Sequence, residues 1–137
     1  MIEIRPGTAE DMAKVQEMQQ EAFGSRFSEG KVEGYTGAGF LVALSDNELA
    51  GFSIFEKDGL ILSLTVAKAQ RGKGVGSRLV LQTENELRAR GVKKVWMHVR
   101  ENNPYIDFLK DRGYANKGVV PNYYGDGVNA IFIEKEL

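Results

Sequence analysis

The stretch Leu64-Thr65-Val66-Ala67-Lys68-Ala69-Gln70-Arg71-Gly72-Lys73-Gly74-Val75-Gly76-Ser77-Arg78-Leu79-Val80 decides how the rest of the chain is read. An alternating apolar run ends at Val66, glycines stand at 72, 74 and 76, and a helical pattern begins at Ser77. Alternate glycines let the backbone turn sharply and approach a ligand closely. The free N–H groups and dipole at the start of the helix favour an anion there. Arg71 and Lys73 add positive charge at the same spot. Two familiar phosphate loops do not fit. No Gly-Lys-Ser/Thr occurs, so this is not a P-loop. A Gly-x-Gly-x-x-Gly fingerprint counted from Gly72 meets Ser77, and counted from Gly74 meets Leu79.

The flanking sequence predicts a sheet with helices on both faces. Ile2 and Ile4 alternate with Glu3 and Arg5 in a strand closed by Pro6-Gly7. Thr8 and Asp11 resemble a helix N-cap and its acidic partner, with Met12, Val15, Met18 and Ala22 following at helical spacing. Ala22 to Gly39 reads as a glycine-rich loop with at most one short helix. Phe40–Leu44, Ala50–Phe55 and Leu60–Val66 are separated by short turns, which implies an antiparallel meander. A helix over Ser77–Arg90 is stopped by Gly91, a β-branched and aromatic strand follows over Val92–Val99, and a second helix spans Pro104–Arg112. Strands near Tyr114–Val120 and Asn129–Glu134 flank the turn Gly125-Asp126-Gly127. The expected fold class is α/β, one domain over 1–137, with a mixed, mostly antiparallel sheet of six or seven strands.

Composition narrows the function. The 137 residues are 42% apolar and 27% charged with a net charge of −1, an ordinary globular balance that speaks against a nucleic-acid or membrane-surface binder. No apolar run is long enough to span a membrane, and Met1 to Arg5 does not read as a signal peptide, so a cytoplasmic protein is expected. The absence of Cys excludes a disulfide framework and a cysteine nucleophile, and the single His98 excludes a histidine-rich metal site. The net charge conceals an asymmetry. Residues 68–100 carry nine basic and two acidic side chains, a net +7, leaving −8 for the remainder. The pattern suggests one small anionic ligand held near the middle of the chain. Residues 1–59 carry 11 acidic and five basic side chains, and an acidic wall there would favour a cationic acceptor.

Arg71-Gly72-Lys73-Gly74-Val75-Gly76 resembles the Arg/Gln-x-x-Gly-x-Gly/Ala motif of the GNAT superfamily, which acylates amines with acetyl-CoA. Asn102-Asn103-Pro104, Ile106, Phe108 and Gly113-Tyr114 resemble that superfamily's second CoA segment. Tyr123-Tyr124-Gly125-Asp126-Gly127, Ala130 and Lys135-Glu136-Leu137 resemble the C-terminal hairpin of its protein N-terminal acetyltransferases. The element order matches from end to end. The resemblance implies that the backbone from Arg71 to Gly76, with Ser77, holds the CoA diphosphate. It implies that Leu64 and Val66 meet the pantetheine arm and acyl carbonyl where their strand splays from Val95–Val99, and that Asn102 or Asn103 contacts the arm. Leu62 and Tyr123 are expected on the acceptor side, as are the loop residues Phe23, Phe27 and Tyr35.

Acyl transfer to an amine needs a neutral amine and then a proton for the departing thiolate. His98 is the one side chain whose ordinary pKa lies near neutrality, and His98-Val99 resembles the His-Val pair that several protein N-terminal acetyltransferases carry on this strand, which implies a water-mediated base. The position of the family's usual acidic tyrosine holds Leu109, which leaves Tyr105, Tyr114, Tyr123 or Tyr124, or water, to protonate the thiolate. Of these Tyr105 is the candidate. The expected activity is direct acetyl transfer from acetyl-CoA to a primary amine of a small molecule or protein, without a metal, by a monomer or homodimer. The competing expectation is a non-catalytic acyl-CoA-binding or sensor domain, supported by Leu109 and by a strand before the loop that lacks a carboxylate. A nucleotide-binding module is a weaker third.

Overall fold

A computed structural model describes residues 1–23 and 39–137. Most of the expected loop, including Phe27 and Tyr35, lies outside the described residues, as does the side chain of Phe23. In chain order the elements are β1 (Ile2–Pro6), α1 (Met12–Phe23), β2 (Phe40–Ser45), β3 (Glu48–Phe55), β4 (Ile61–Val66), α2 (Val75–Ala89), β5 (Lys94–Arg100), α3 (Tyr105–Asp111), β6 (Ala115–Gly125) and β7 (Val128–Glu136). The strands form two antiparallel sheets, ordered β1-β2-β3-β4 and β5-β7-β6. No described helix is long and apolar enough to cross a membrane.

The meander follows from its turns. Asp46 and Asn47 both take positive φ, 51° and 68°, which a two-residue hairpin requires and these residue types tolerate. Alternation then divides the side chains of β2. Phe40 and Val42 pack with Phe52, Ile54 and Val15 under α1. Leu41 and Ala43 join Val75, Leu79 and Leu87 of α2, Val95, Met97 and Val99 of β5, and Leu109 of α3 on the other face. Helices therefore cover both faces, as the alternation implies. α2 begins at Val75 rather than Ser77, because Val75 is 1% exposed and already belongs to the core.

Glu84 and Thr83, drawn inside on α2, both have partners. Glu84 accepts from the Tyr114 hydroxyl at 2.8 Å and from Lys135 Nζ at 3.0 Å, and the Thr83 hydroxyl donates to Ser53 Oγ at 2.8 Å. A buried carboxylate without such donors would be strongly destabilising. These bonds hold α2 to Tyr114, to β7 and to β3.

Among the described residues the backbones of the two sheets are bridged at one place. Trp96 N–H donates to Gly59 O at 3.0 Å, and Leu60 and Trp96 form a parallel bridge. Gly59 has a φ of 114°, and a Cβ there would lie 2.1 Å from Lys94 O. Only glycine permits this approach. Gly59→Ala is therefore expected to cost roughly 2–3 kcal/mol, read as a lower midpoint in urea. An unchanged midpoint would contradict this account of the junction.

The start of α1 is fixed by charge. Arg5 on β1 makes a two-pronged ion pair with Asp11, at 2.8 and 3.0 Å, and Thr8 N–H and Oγ1 both donate to the same carboxylate. The Arg5 guanidinium holds the Asp11 carboxyl down at about 2 from an ordinary 3.8. A depressed carboxylate adds stability above its unfolded pKa and loses it as pH falls through the folded one. Solvent screens the pair, so Asp11→Asn is expected to cost about 1 kcal/mol at pH 7. The deficit should shrink between pH 4 and pH 2 in acid titrations of both proteins.

Candidate active site

Beyond the Gly59–Trp96 junction, β4 and β5 part. Ala67 N–H donates to Ala50 O at 2.8 Å, so β4 turns the backbone of every second residue toward β3. The N–H groups of the intervening Leu64 and Val66 consequently face the gap. Val66 O agrees with this parity, because it accepts from Arg71 Nε at 3.3 Å on that open side. The gap is a cleft of about 180 Å³, lined by Leu62, Ser63 and Leu64 from β4, Met97 to Arg100 from β5, and Gln19, Asn103, Tyr105 and Tyr124.

The glycine loop lies at the end of β4. A short 3-10 turn over Lys68–Gln70 leads into it, and Gly72 and Gly74 take φ of 79° and 87°. Nothing lies within 4 Å of a Cβ at either residue, so dihedral strain and not crowding demands glycine there. Gly74 precedes α2 with no side-chain cap, and the first helical bond runs from Arg78 N–H to Gly74 O at 3.2 Å. The N–H groups of Val75, Gly76 and Ser77 are the orphan donors of an uncapped helix start, suited to an anion. Lys73 Nζ rests on Gln70 Oε1 at 3.2 Å. Only part of the central positive block serves this end. Lys94 pairs with Glu134 and Arg88 with Glu84, both at 3.7 Å.

Arg112, which the sequence reading did not single out, reinforces the loop. Its guanidinium donates to Ser77 Oγ and lies 3.6 Å over the Phe108 ring. An arginine in the last turn of a short helix carries no motif by itself. Its value comes from α3 packing beside the start of α2.

His98 has Tyr123 stacked on its ring, with centroids 4.4 Å apart and planes 13° from parallel, and Phe132 at 5.5 Å. Burial lowers the imidazole's pKa, so the ring is held neutral near pH 7. Among the described residues it makes no side-chain hydrogen bond. Tyr124 also reaches this residue, donating to His98 O at 3.1 Å. Consecutive residues of a regular strand point to opposite faces. The exception arises at Asn122, whose φ is 57° and whose Oδ1 accepts from Gly127 N–H at 2.8 Å, while its own N–H donates to Asn129 Oδ1 at 3.0 Å. The pairing of β6 with β7 breaks between Val120 and Gly125, and this irregularity aims both tyrosines at β5. β6 thus extends past its expected end at Val120 to Gly125.

The Tyr105 hydroxyl is buried without a hydrogen-bond partner among the described residues. It points at the loop, lying 2.9 Å from where a Gly76 Cβ would be. Its ring stacks on Phe108 at 4.6 Å. Burial pushes the phenol's pKa well up, opposed by the nearby Arg112 and Arg71. Leu109 is fully buried in the core and does not reach the cleft. Asn103 lines the cleft and accepts from Tyr105 N–H at 2.9 Å, whereas Asn102 lines a neighbouring hollow with Glu101 and Asn129. The expected acidic wall is not formed by the described residues: no carboxylate lines the cleft, and Glu21 lies instead in a hollow beside Arg71.

An uncapped helix start, an open strand edge and an imidazole are brought together beside one cleft. Comparison with known proteins gives this assembly a lineage. An uncharacterized N-acetyltransferase of Methanocaldococcus jannaschii is 30% identical over 141 residues, spanning 97% of this chain and 90% of that protein. The ribosomal protein bS18-alanine N-acetyltransferase of Haemophilus influenzae is 24% identical over 119 residues, spanning 83% and 82%. Arabidopsis thaliana Naa50, solved in complex with the bisubstrate analogue CoA-Ac-MVNAL, shares the fold with a TM-score of 0.90 at 18% identity over 99% of both chains. The pattern of the acetyltransferase (GNAT) family matches residues 9–114, and the chain belongs to that family as an N-acetyltransferase.

Proposed function

We propose that residues 1–137 act as one domain that transfers an acetyl group from acetyl-CoA directly to a primary amine held beside His98. The observation that carries this reading is the parting of β4 from β5 next to the uncapped start of α2. The residues present fit the donor. The loop from Arg71 to Gly76, with Ser77, offers N–H groups and the Arg71, Lys73 and Arg112 cations to a diphosphate. Leu64 and Val66 offer a strand edge to the amide-bearing arm, with Asn103 opposite.

Acetyl-CoA supplies an acetyl group activated as a thioester. The N–H of Val66, free of any ladder, is aimed to stabilise negative charge developing on the acyl oxygen. His98, kept neutral by burial, removes the proton that the amine must lose, through a bridging water. Leu62 and Tyr123 flank the side from which the amine arrives. Tyr105 holds a proton close to the loop and is the group that donates toward the departing sulfur. With no cysteine in the chain, transfer without an acyl-cysteine stage is the route left. The relatives' names support an amine on a protein, since one acts on a ribosomal protein's alanine and another was solved with a peptide-bearing analogue.

Calorimetry at low salt is expected to detect acetyl-CoA binding, and its absence would overturn the reading. His98→Ala should lower kcat about 10–100-fold on a confirmed acceptor while leaving acetyl-CoA affinity within twofold. The acid limb of the kcat profile, expected below pH 6.5 because burial lowers this imidazole, should vanish with it.

Tyr105→Phe separates chemistry from stability. The substitution removes an unpartnered buried hydroxyl and keeps the stack on Phe108, so Tm should hold or rise. If the hydroxyl donates to sulfur, kcat should still drop about tenfold or more. Full activity in this variant would assign the proton to water.

A further inference from the structure

The cleft carries one formal charge among its described lining residues, and it is positive. Arg100 stands two residues after His98 on β5, on the same face. Its guanidinium rests 5.2 Å over the Tyr124 ring, and Tyr124 in turn bonds to His98 O. That support keeps a long side chain on the His98 side of the strand and lowers the entropy lost when a ligand arrives. No salt bridge joins Arg100 to any described carboxylate, although its neighbour Glu101 shares the adjoining hollow with it. The other polar side chains lining the cleft beside His98, from Gln19, Ser63, Asn103, Tyr105 and Tyr124, are neutral. An unpaired guanidinium held this way is a fork for a carboxylate. It would repel an amine that brings a second positive charge.

We propose that the acceptor bears a carboxylate within a few bonds of its amine, and that Arg100 receives it while His98 serves the nitrogen. The carboxylate is either the α-carboxylate of a free amino acid or the acidic side chain of a peptide's first residue. Residues i and i+2 of a strand are about 7 Å apart at Cα, and the arginine's length spans that interval with a short acceptor between. The proposal rests on the acetyl-CoA reading above and gives its acceptor a chemical class.

The test uses binding, so that it does not depend on turnover. Four conjugates, each joining CoA through its acetyl group to an acceptor nitrogen, would be compared by calorimetry with the full chain. The acceptors are glycine, glycinamide, Glu-Ala-amide and Gln-Ala-amide. In at least one pair the carboxylate form should bind tenfold or more tightly than its amide. Preference in the glycine pair identifies a free amino acid, and preference in the dipeptide pair identifies a protein terminus. Arg100→Gln should erase the preference without changing acetyl-CoA affinity, while Arg100→Lys retains part of it. Equal binding within both pairs overturns the proposal, as does a preference that survives Arg100→Gln. Failure of acetyl-CoA itself to bind would instead overturn the donor reading.

Discussion

Everything in this molecule's cleft depends on a ladder that stops. β4 is hydrogen-bonded along β3 on one side, and on the other the pairing toward β5 among the described residues is the bridge between Leu60 and Trp96, with Trp96 N–H on Gly59 O. Completing that ladder would satisfy Leu64 and Val66 and leave no opening. Leaving it incomplete exposes backbone donors that are costly to bury unpaired, so a ligand that pairs with them is strongly favoured. The polar strand edge and the orphan N–H groups of α2 are two instances of one device. In both, regular structure ends where a ligand's acceptors can take over.

The framework around this opening is stiff. Helices on both faces pack against a core containing fully buried Phe52, Ile54, Leu79 and Leu87. Glu84, Tyr114 and Lys135 tie α2 to the second sheet at the side away from the cleft. A charged group buried with its partners specifies geometry more than it adds stability. Here it ties α2 to Tyr114 and to Lys135 of β7, the strand that pairs with β5.

Much of this was legible in the chain. Alternation in β1 to β4, the Asp46-Asn47 turn and the glycine loop are local signals, and local signals give the element order and the anion-binding end. Alternation along β5 sets His98 on the face opposite Val95, Met97 and Val99. What could not be read was set by contacts between distant residues. Arg112 acquires its place only because α3 lies beside Ser77. Asn103 rather than Asn102 faces the cleft because its carbonyl caps Tyr105 N–H. The sum of charges over 1–59 says how many carboxylates there are and nothing about which face they occupy, and those described turn away from the cleft. Tyr123 and Tyr124 lie beyond the expected end of their strand at Val120, and a bulge that needs Asn122, Gly127 and Asn129 together brings both to one side.

That bulge has a second effect, on the surface of the protein rather than its chemistry. β6 is the outermost strand of its sheet, it is exposed along nearly its whole length, and Val119 is half exposed. A straight strand of that kind would present a template on which another chain could extend the sheet. Pro121 removes one donor from the edge, and the left-handed turn at Asn122 bends the remainder out of line. The distortion that aims aromatic rings at the cleft thus also spoils the edge for strand addition, so regularising this hairpin would trade a working cleft for a tendency to aggregate.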